Sequence, residues 1–431
     1  LLDCGINPGI ETGPESYPML DGPEFKLSDL DAIVLTHAHT DHSGFIPFLY
    51  KMGYRGPLYC TAPTRDISAL LALDSIGVSF KQAKKNLFDI QDVKEMVKHT
   101  ITLNWEEVTD ITPDMRLTLY NSGHILGSSM IHLNVGNGSH NFLYTGDMKY
   151  LKTRVLDPAA TKFPRLETVM IESTYGDKNA VLGSRKKAEE RLVEVVEETV
   201  KKKGKILIPV LGVGRAQELL LVIESAIREG RMKKLPVYVQ GMVWDITGIH
   251  TAYPDFLNKD LRRSIFHKDQ NPFLSDVFKK VGSRKEQDAI MESNESCIIV
   301  ATAGMLNAGA SLEYFKRMAD NAKNSMIFVT YQGAGTLGRR IQDGERKIIF
   351  SDDGKASEVE VKLNLEIITD FTGHAGRTEL MQFVKDLNPR PRKILVQHGE
   401  SSKCIDLASS LHKANRMETF APKNLEGVRL R

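Results

Sequence analysis

Short apolar runs alternate with polar breaks along the chain, and the period of the apolar positions separates strands from helices. The run AIVLTH, beginning at Ala32, reads as a buried strand, and the polar string HAHTDHSG hands it over to a helical pattern at 45–52. A second strand at 57–61 precedes APTRDISALLALDS, a helix opening near Pro63. Beyond Thr100 the texture becomes strands broken by Gly and Asn: ITLNW, RLTLYNSG, MIHLNV and NFLYTGD.

From residue 184 the pattern changes. Positions 184–203 predict an amphipathic helix with Leu192, Val195, Val196 and Val200 on its apolar face and Gly204 as its stop. Strand KILIPVL, helix AQELLLVIESAIREG, strands PVYVQ and CIIVATA, helix SLEYFKRMADN and strand SMIFVTY follow. That alternation predicts a parallel sheet with helices on its faces. From about Arg346 strands return in KIIF, SEVEVKLNLEIIT and KILVQHG, with helices at 377–386 and 404–413. The expected organisation is an α/β chain in which a strand-rich domain, 1–177 and 346–431, is interrupted by an α/β domain at 178–345.

Composition narrows the classes. With 431 residues, 41% hydrophobic and 26% charged, the chain is folded rather than disordered. The formal charge of +2 excludes coating of a polyanion by bulk charge, yet it hides an asymmetry. Residues 178–345 hold 27 Lys plus Arg against 21 Asp plus Glu, whereas the remainder holds 30 against 34. The four cysteines are dispersed without a C-x-x-C pair, which points to a reducing, cytoplasmic compartment. No apolar stretch approaches the roughly 18 residues of a membrane span, so no membrane partner is expected. The chain opens at Leu1 as if at the end of a strand, and natural sequence is expected to precede it.

The densest chemistry lies in the loop after the AIVLTH strand. His37, His39, Asp41 and His42 follow the order H-x-H-x-D-H, and imidazole with carboxylate is the donor set of zinc. The alternative, a solvated loop of helix-capping residues, has no use for three imidazoles. His124 in NSGHILGSS, Asp147 in LYTGDMKY and His398 in LVQHGES each end an apolar strand beside glycine. Seven such groups are too many for one tetrahedral ion and suit two.

HAHTDH followed by GH, GD and a late HG resembles the metallo-β-lactamase fold. IESTYGD with Glu172, FTGHAGR with His374 and VQHGE with His398 resemble the extra motifs of the β-CASP nucleases. CTAPTRD, FTGHAGRTEL and the ending around FAPKNLEG look most like archaeal homologues of the cleavage and polyadenylation specificity factor endonuclease. The resemblance implies an αββα sandwich with an inserted β-CASP domain carrying a mainly parallel sheet. It implies two zinc ions per chain, with His37, His39 and His124 on one, Asp41, His42 and His398 on the other, and Asp147 between them. Asp3 would orient a ligand without binding metal, Glu172 would steady His374, and His374 would be the general acid. Family members begin with further strands, often after KH-type RNA-binding modules, and neither is visible here.

The implied activity is zinc-dependent endoribonuclease, with 5′-to-3′ trimming as an additional capability, in RNA 3′-end formation, transcription termination or decay. RNA, the transcription machinery and a second copy of the chain are the expected partners. His at position 398 favours RNA over DNA within the group. Arg215, at the start of a helix, Arg339 and Arg340 after three glycines, and Arg377 are expected to meet RNA phosphates, although Gly-Arg loops also serve as solvated turns. The competing readings are a DNA-processing nuclease, a small-molecule hydrolase and a non-catalytic RNA-binding scaffold; the intact ligand set argues against the last.

Overall fold

The structure, a computed structural model, describes residues 1–7, 13–20, 22, 25–81, 85–180, 182–352 and 355–430. It divides into two compact units, one formed by Leu1–Val181 with Gly373–Arg431 and the other by Leu182–Thr372.

In the first unit a seven-stranded sheet runs in the order Glu418–Phe420, Lys393–Gln397, Thr168–Glu172, His140–Tyr144, Ser129–Val135, Met115–Asn121 and Val108–Thr112. A smaller parallel sheet of Ile33–Val34, Leu58–Cys60 and Thr100–Thr102 lies against it. Period-two alternation explains the layers. Phe142, Tyr144 and Leu395 turn inward to meet Val34, Tyr59, Leu117 and Ile131 between the sheets. Their neighbours Leu143, Ile394 and Val396 turn outward, under Leu380 and Phe383 of helix Arg377–Asp386 and Leu407 and Leu411 of helix Ser401–Asn415. On the far side of the small sheet, helices Ile46–Lys51 and Ile90–Lys98 contribute Ile46, Leu49, Val93 and Met96 to a third cluster. The result is the expected helix–sheet–sheet–helix sandwich. Strands buried on both faces account for the unbroken apolar runs of the sequence.

The second unit carries a six-stranded sheet in which every pairing is parallel, ordered Phe278–Val281, Val237–Gln240, Ile298–Ala301, Ile206–Pro209, Ser325–Phe328 and Asn364–Ile367. Ile206, Ile208, Ile298 and Val300 face Leu192, Val195, Leu219 and Val222 of helices Arg185–Lys201 and Arg215–Arg228. Leu207, Ile299 and Ala301 face Tyr314, Phe315 and Met318 of helix Gly309–Met318. Each fully buried Val, Leu, Ile, Phe or Met side chain among them contributes about 1.5–3 kcal/mol relative to exposure. No helix among the described residues is long and apolar enough to cross a membrane.

The units part from the expected boundary at one end. Residues 346–372 belong with the second unit: Lys347–Asp352 and Lys355–Glu360 form an antiparallel hairpin, and Asn364–Ile367 extends the parallel sheet beside Ser325–Phe328. The chain rejoins the first unit at Gly373. Alternation in SEVEVKLNLEIIT fits a strand of either sheet, so the pattern does not say which one receives it.

One feature of the first unit sets up the site. Asp3, Cys4 and Ile6 lie along the H-x-H-x-D-H loop, with Cys4 N–H donating to His42 O at 2.7 Å and Ile6 N–H to Thr40 O at 3.0 Å. Gly5 makes this approach possible, because a Cβ there would stand 1.9 Å from the carbonyl carbon and oxygen of Asp41. Gly5→Ala is therefore expected to lower unfolding free energy by about 1–3 kcal/mol, since the crowded atoms are backbone. Urea denaturation measures this, and an unchanged midpoint would contradict the packing.

Candidate metal centre

Strands Met115–Asn121, His140–Tyr144, Thr168–Glu172 and Lys393–Gln397 run in one direction, because the antiparallel strand Ser129–Val135 separates the first two and the others pair in parallel. Their C-terminal ends share one edge. His124, Asp147, Glu172 and His398 sit at or just beyond those ends, where loops can aim side chains from a rigid frame.

Two groups of ligand atoms form there. His37, His39, His124 and Asp147 place one nitrogen or oxygen each within 4.8 Å of one another, as do Asp41, His42, Asp147 and His398. Asp147 belongs to both. His124 Nε2 is 3.1 Å from His39 Nδ1, and His42 Nε2 is 3.1 Å from His398 Nε2. All the residues that the sequence singled out as metal ligands are thus brought together.

Asp3 governs which nitrogens face inward. His42 Nδ1–H donates to Asp3 Oδ2 at 2.7 Å, which leaves Nε2 as the nitrogen that faces the cluster. Thr36 donates its N–H to Asp3 Oδ1 and its hydroxyl to Oδ2, both at 2.8 Å. That hydroxyl is 3.0 Å from His37 Nδ1, so it accepts there and His37 also presents Nε2. Tyr144 adds a third donor to Asp3 Oδ2 at 3.1 Å. On the other side His124 Nδ1–H donates to Gly373 O at 2.8 Å, again turning Nε2 inward.

The electrostatics ask for cations. Burial pushes His37 and His124 well below the ordinary histidine range and lowers His39 to about 4, so these are neutral imidazoles with available lone pairs. Asp147 is 2% exposed; burial would raise it, but the charges of His42, His398 and His374 hold it well below the usual carboxylate range. In return His42 is raised, and His398 is raised to about 9: burial opposes both shifts, and it is outweighed by the Asp147 charge acting together with Asp3 at His42 and with Asp41 at His398. His37 Nε2 and Asp147 Oδ1 are buried with no hydrogen-bond partner. A satisfied polar core leaves few such atoms, and two in one cluster of imidazoles and carboxylates fit bound zinc.

Glu172 and His374 form a neighbouring group with Asp147. His374 Nδ1 is 3.3 Å from both Glu172 oxygens, and the fully buried Glu172 carboxylate also accepts from Met148 N–H at 2.8 Å. The arginines divide. Arg339 and Arg340 are exposed and paired with Asp343 and Glu345, contacts weak enough to be exchanged for phosphate. Arg215 opens helix Arg215–Arg228 and donates to Val329 O at 3.2 Å. Arg377 departs from expectation: its side chain is 11% exposed and donates to Gly176 O and Asp406 O, so it braces the fold instead of meeting phosphate.

Thr36 and Tyr144 were not visible as functional positions, since only tertiary contact brings them to Asp3. Thr36 did carry one signal, its place directly before His37 at the end of a strand.

Comparison with known proteins agrees with this geometry. A metallo-beta-lactamase superfamily domain matches residues 1–174, a Beta-Casp domain residues 216–341, and a Zn-dependent metallo-hydrolase RNA specificity domain residues 358–422. Transcription termination factor FttA of Methanothermobacter thermautotrophicus is 52% identical over 431 residues, covering 100% of this chain and 68% of that protein. FttA of Methanocaldococcus jannaschii is 48% identical and that of Lokiarchaeum sp. 49% identical, with the same coverage of 100% and 68%.

Because one carboxylate sets the tautomers of His37 and His42, Asp3→Ala is expected to weaken zinc binding by about 10- to 100-fold. Competition against a chromophoric chelator reads this directly, and wild-type affinity would contradict the orienting role.

Proposed function

The chain belongs to the metallo-β-lactamase proteins that carry a β-CASP domain and is homologous to archaeal FttA, and on that footing we propose that it is a two-zinc ribonuclease cutting RNA phosphodiesters. The observation that carries the proposal is the pair of donor groups sharing buried Asp147. His37, His39 and His124 would hold one zinc, Asp41, His42 and His398 the other, and Asp147 both. When bound, the two ions supply Lewis acidity toward the phosphoryl oxygens and a nucleophilic water at neutral pH.

The chain's own groups do the rest. Glu172 accepts from His374 Nδ1–H, which fixes the ring's orientation and directs its Nε2 proton to the leaving oxygen. Asp3 and Thr36 keep His37 and His42 in the tautomers that ligation requires. Arg215, Arg339 and Arg340 track the RNA backbone, each neutralising phosphate without reading sequence.

RNA is favoured over DNA by the match of residues 358–422 to an RNA specificity domain and by the presence of His398. Internal cleavage is the main activity in this reading, with 5′-to-3′ trimming by the same centre. The relatives are named transcription termination factors, which supports a cytoplasmic role in termination and 3′-end formation, beside the transcription machinery and as a homodimer. A non-catalytic scaffold would have no need of a complete donor set.

End-labelled RNA bearing a 5′-monophosphate or a 5′-hydroxyl tests the activity, with a chelator control that should abolish it. His374→Ala is expected to retain its zinc and to lose about 10²- to 10⁴-fold in cleavage rate. Cleavage at the wild-type rate would remove the general-acid role, and cleavage that survives complete chelation would remove the metal mechanism.

A further inference from the structure

His374 is reached from two directions by the residues that follow Asp147. Met148 and Lys149, in the GDMKY segment, grip the two ends of a single peptide group. Lys149 Nζ donates to His374 O at 3.0 Å, and Ala375 N–H donates to Met148 O at 2.7 Å. Both polar atoms of the His374–Ala375 peptide are thereby fixed by consecutive residues of the Asp147 loop, and with them the direction of the His374 side chain.

Lys149 is 5% exposed, and its ammonium also meets Glu379 Oε1 at 2.6 Å. Glu379 lies in the first turn of helix Arg377–Asp386, where it accepts from Gly376 N–H at 3.3 Å through Oε1 and from Leu151 N–H at 3.1 Å through Oε2. It therefore ties the start of that helix to the Asp147 loop. Lys149 is itself anchored: its N–H donates to Ser122 O and its carbonyl accepts from Ala159 N–H, both at 2.9 Å. Met148 N–H donates to Glu172, the carboxylate beside His374 Nδ1. A lysine with its charge nearly sealed from water is costly to keep unless its contacts are made, and here they join the His374 carbonyl to the Glu379 carboxylate.

We propose that Lys149 and Glu379 are positioning residues for His374, holding its imidazole in register with Asp147 and Glu172 during RNA cleavage. The inference rests on the reading of His374 as the general acid. Displacement of a proton donor by about 1 Å can cost on the order of 100-fold in rate while leaving substrate binding intact. The pair thus acts on kcat and not on KM or zinc content, which separates it from an ion pair that only stabilises the fold.

The test is a mutant cycle on folded, zinc-loaded protein, read as single-turnover cleavage of a labelled RNA. Lys149→Met should keep its zinc and its KM within about twofold and lose about 10- to 100-fold in rate. The double variant Lys149→Met with His374→Ala should be no slower than His374→Ala alone, because the lysine works through the histidine. Lys149→Arg should recover part of the rate. If Lys149→Met leaves Glu379 buried without a partner and the protein unfolds, Lys149→Met with Glu379→Met removes both charges and carries the same expectations. Wild-type rate in a Lys149 variant, with His374→Ala impaired, would overturn the positioning role and leave the general acid standing. Multiplicative losses in the double variant would also overturn it. Wild-type rate in His374→Ala would overturn both together.

Discussion

A carboxylate sealed from water among five imidazoles dominates this molecule. Asp147 lies 3.2–3.8 Å from ring nitrogens of His37, His42, His124, His374 and His398. Burying an unpaired carboxylate costs far more than a small domain's net stability, so the charge must be met by cations or protons held at fixed places. Everything around it serves that requirement. Neutral imidazoles aim lone pairs on one side, and on the other His42 and His398 have a raised affinity for positive charge.

The sandwich makes the arrangement affordable by giving the ligands a common origin. Four strands of the large sheet point the same way, so residues far apart in sequence emerge along one edge. Close backbone approach then brings the remaining parts in. Gly5 lets the first residues press against Asp41, and Gly146, with φ of 51°, carries the turn into Asp147 where a Cβ would stand 2.8 Å from Thr36. Asp3 and Thr36 consequently touch both the small sheet and the histidine loop, and one hydrogen-bond chain orients two ligands.

Much of this was legible in the sequence because local pattern and function coincide. H-x-H-x-D-H packs its ligands into a single loop, and His124, Asp147 and His398 each stand beside glycine at the end of an apolar run. The parallel second sheet followed from period and alternation, and the sandwich from the family resemblance that the ligand motifs carry. What escaped depends on tertiary contact. Tyr144 and Thr36 look like ordinary strand residues until Asp3 arrives from a distant part of the chain. Lys149 and Glu379 are 230 positions apart and look like surface charges, yet they meet in the interior at 2.6 Å. Arg377 has the composition of a phosphate ligand but spends its donors on backbone carbonyls. The return of the chain at Gly373 was invisible because an edge strand of either sheet has the same alternation.

The central claim is that Asp147 belongs to two metal sites at once. Calorimetric titration of zinc into metal-free protein tests it most directly, with Asp147→Ala as the comparison. The account predicts two zinc ions per wild-type chain and weakening of both in the variant. A single zinc in fully active protein, or loss of only one site in Asp147→Ala, would contradict it.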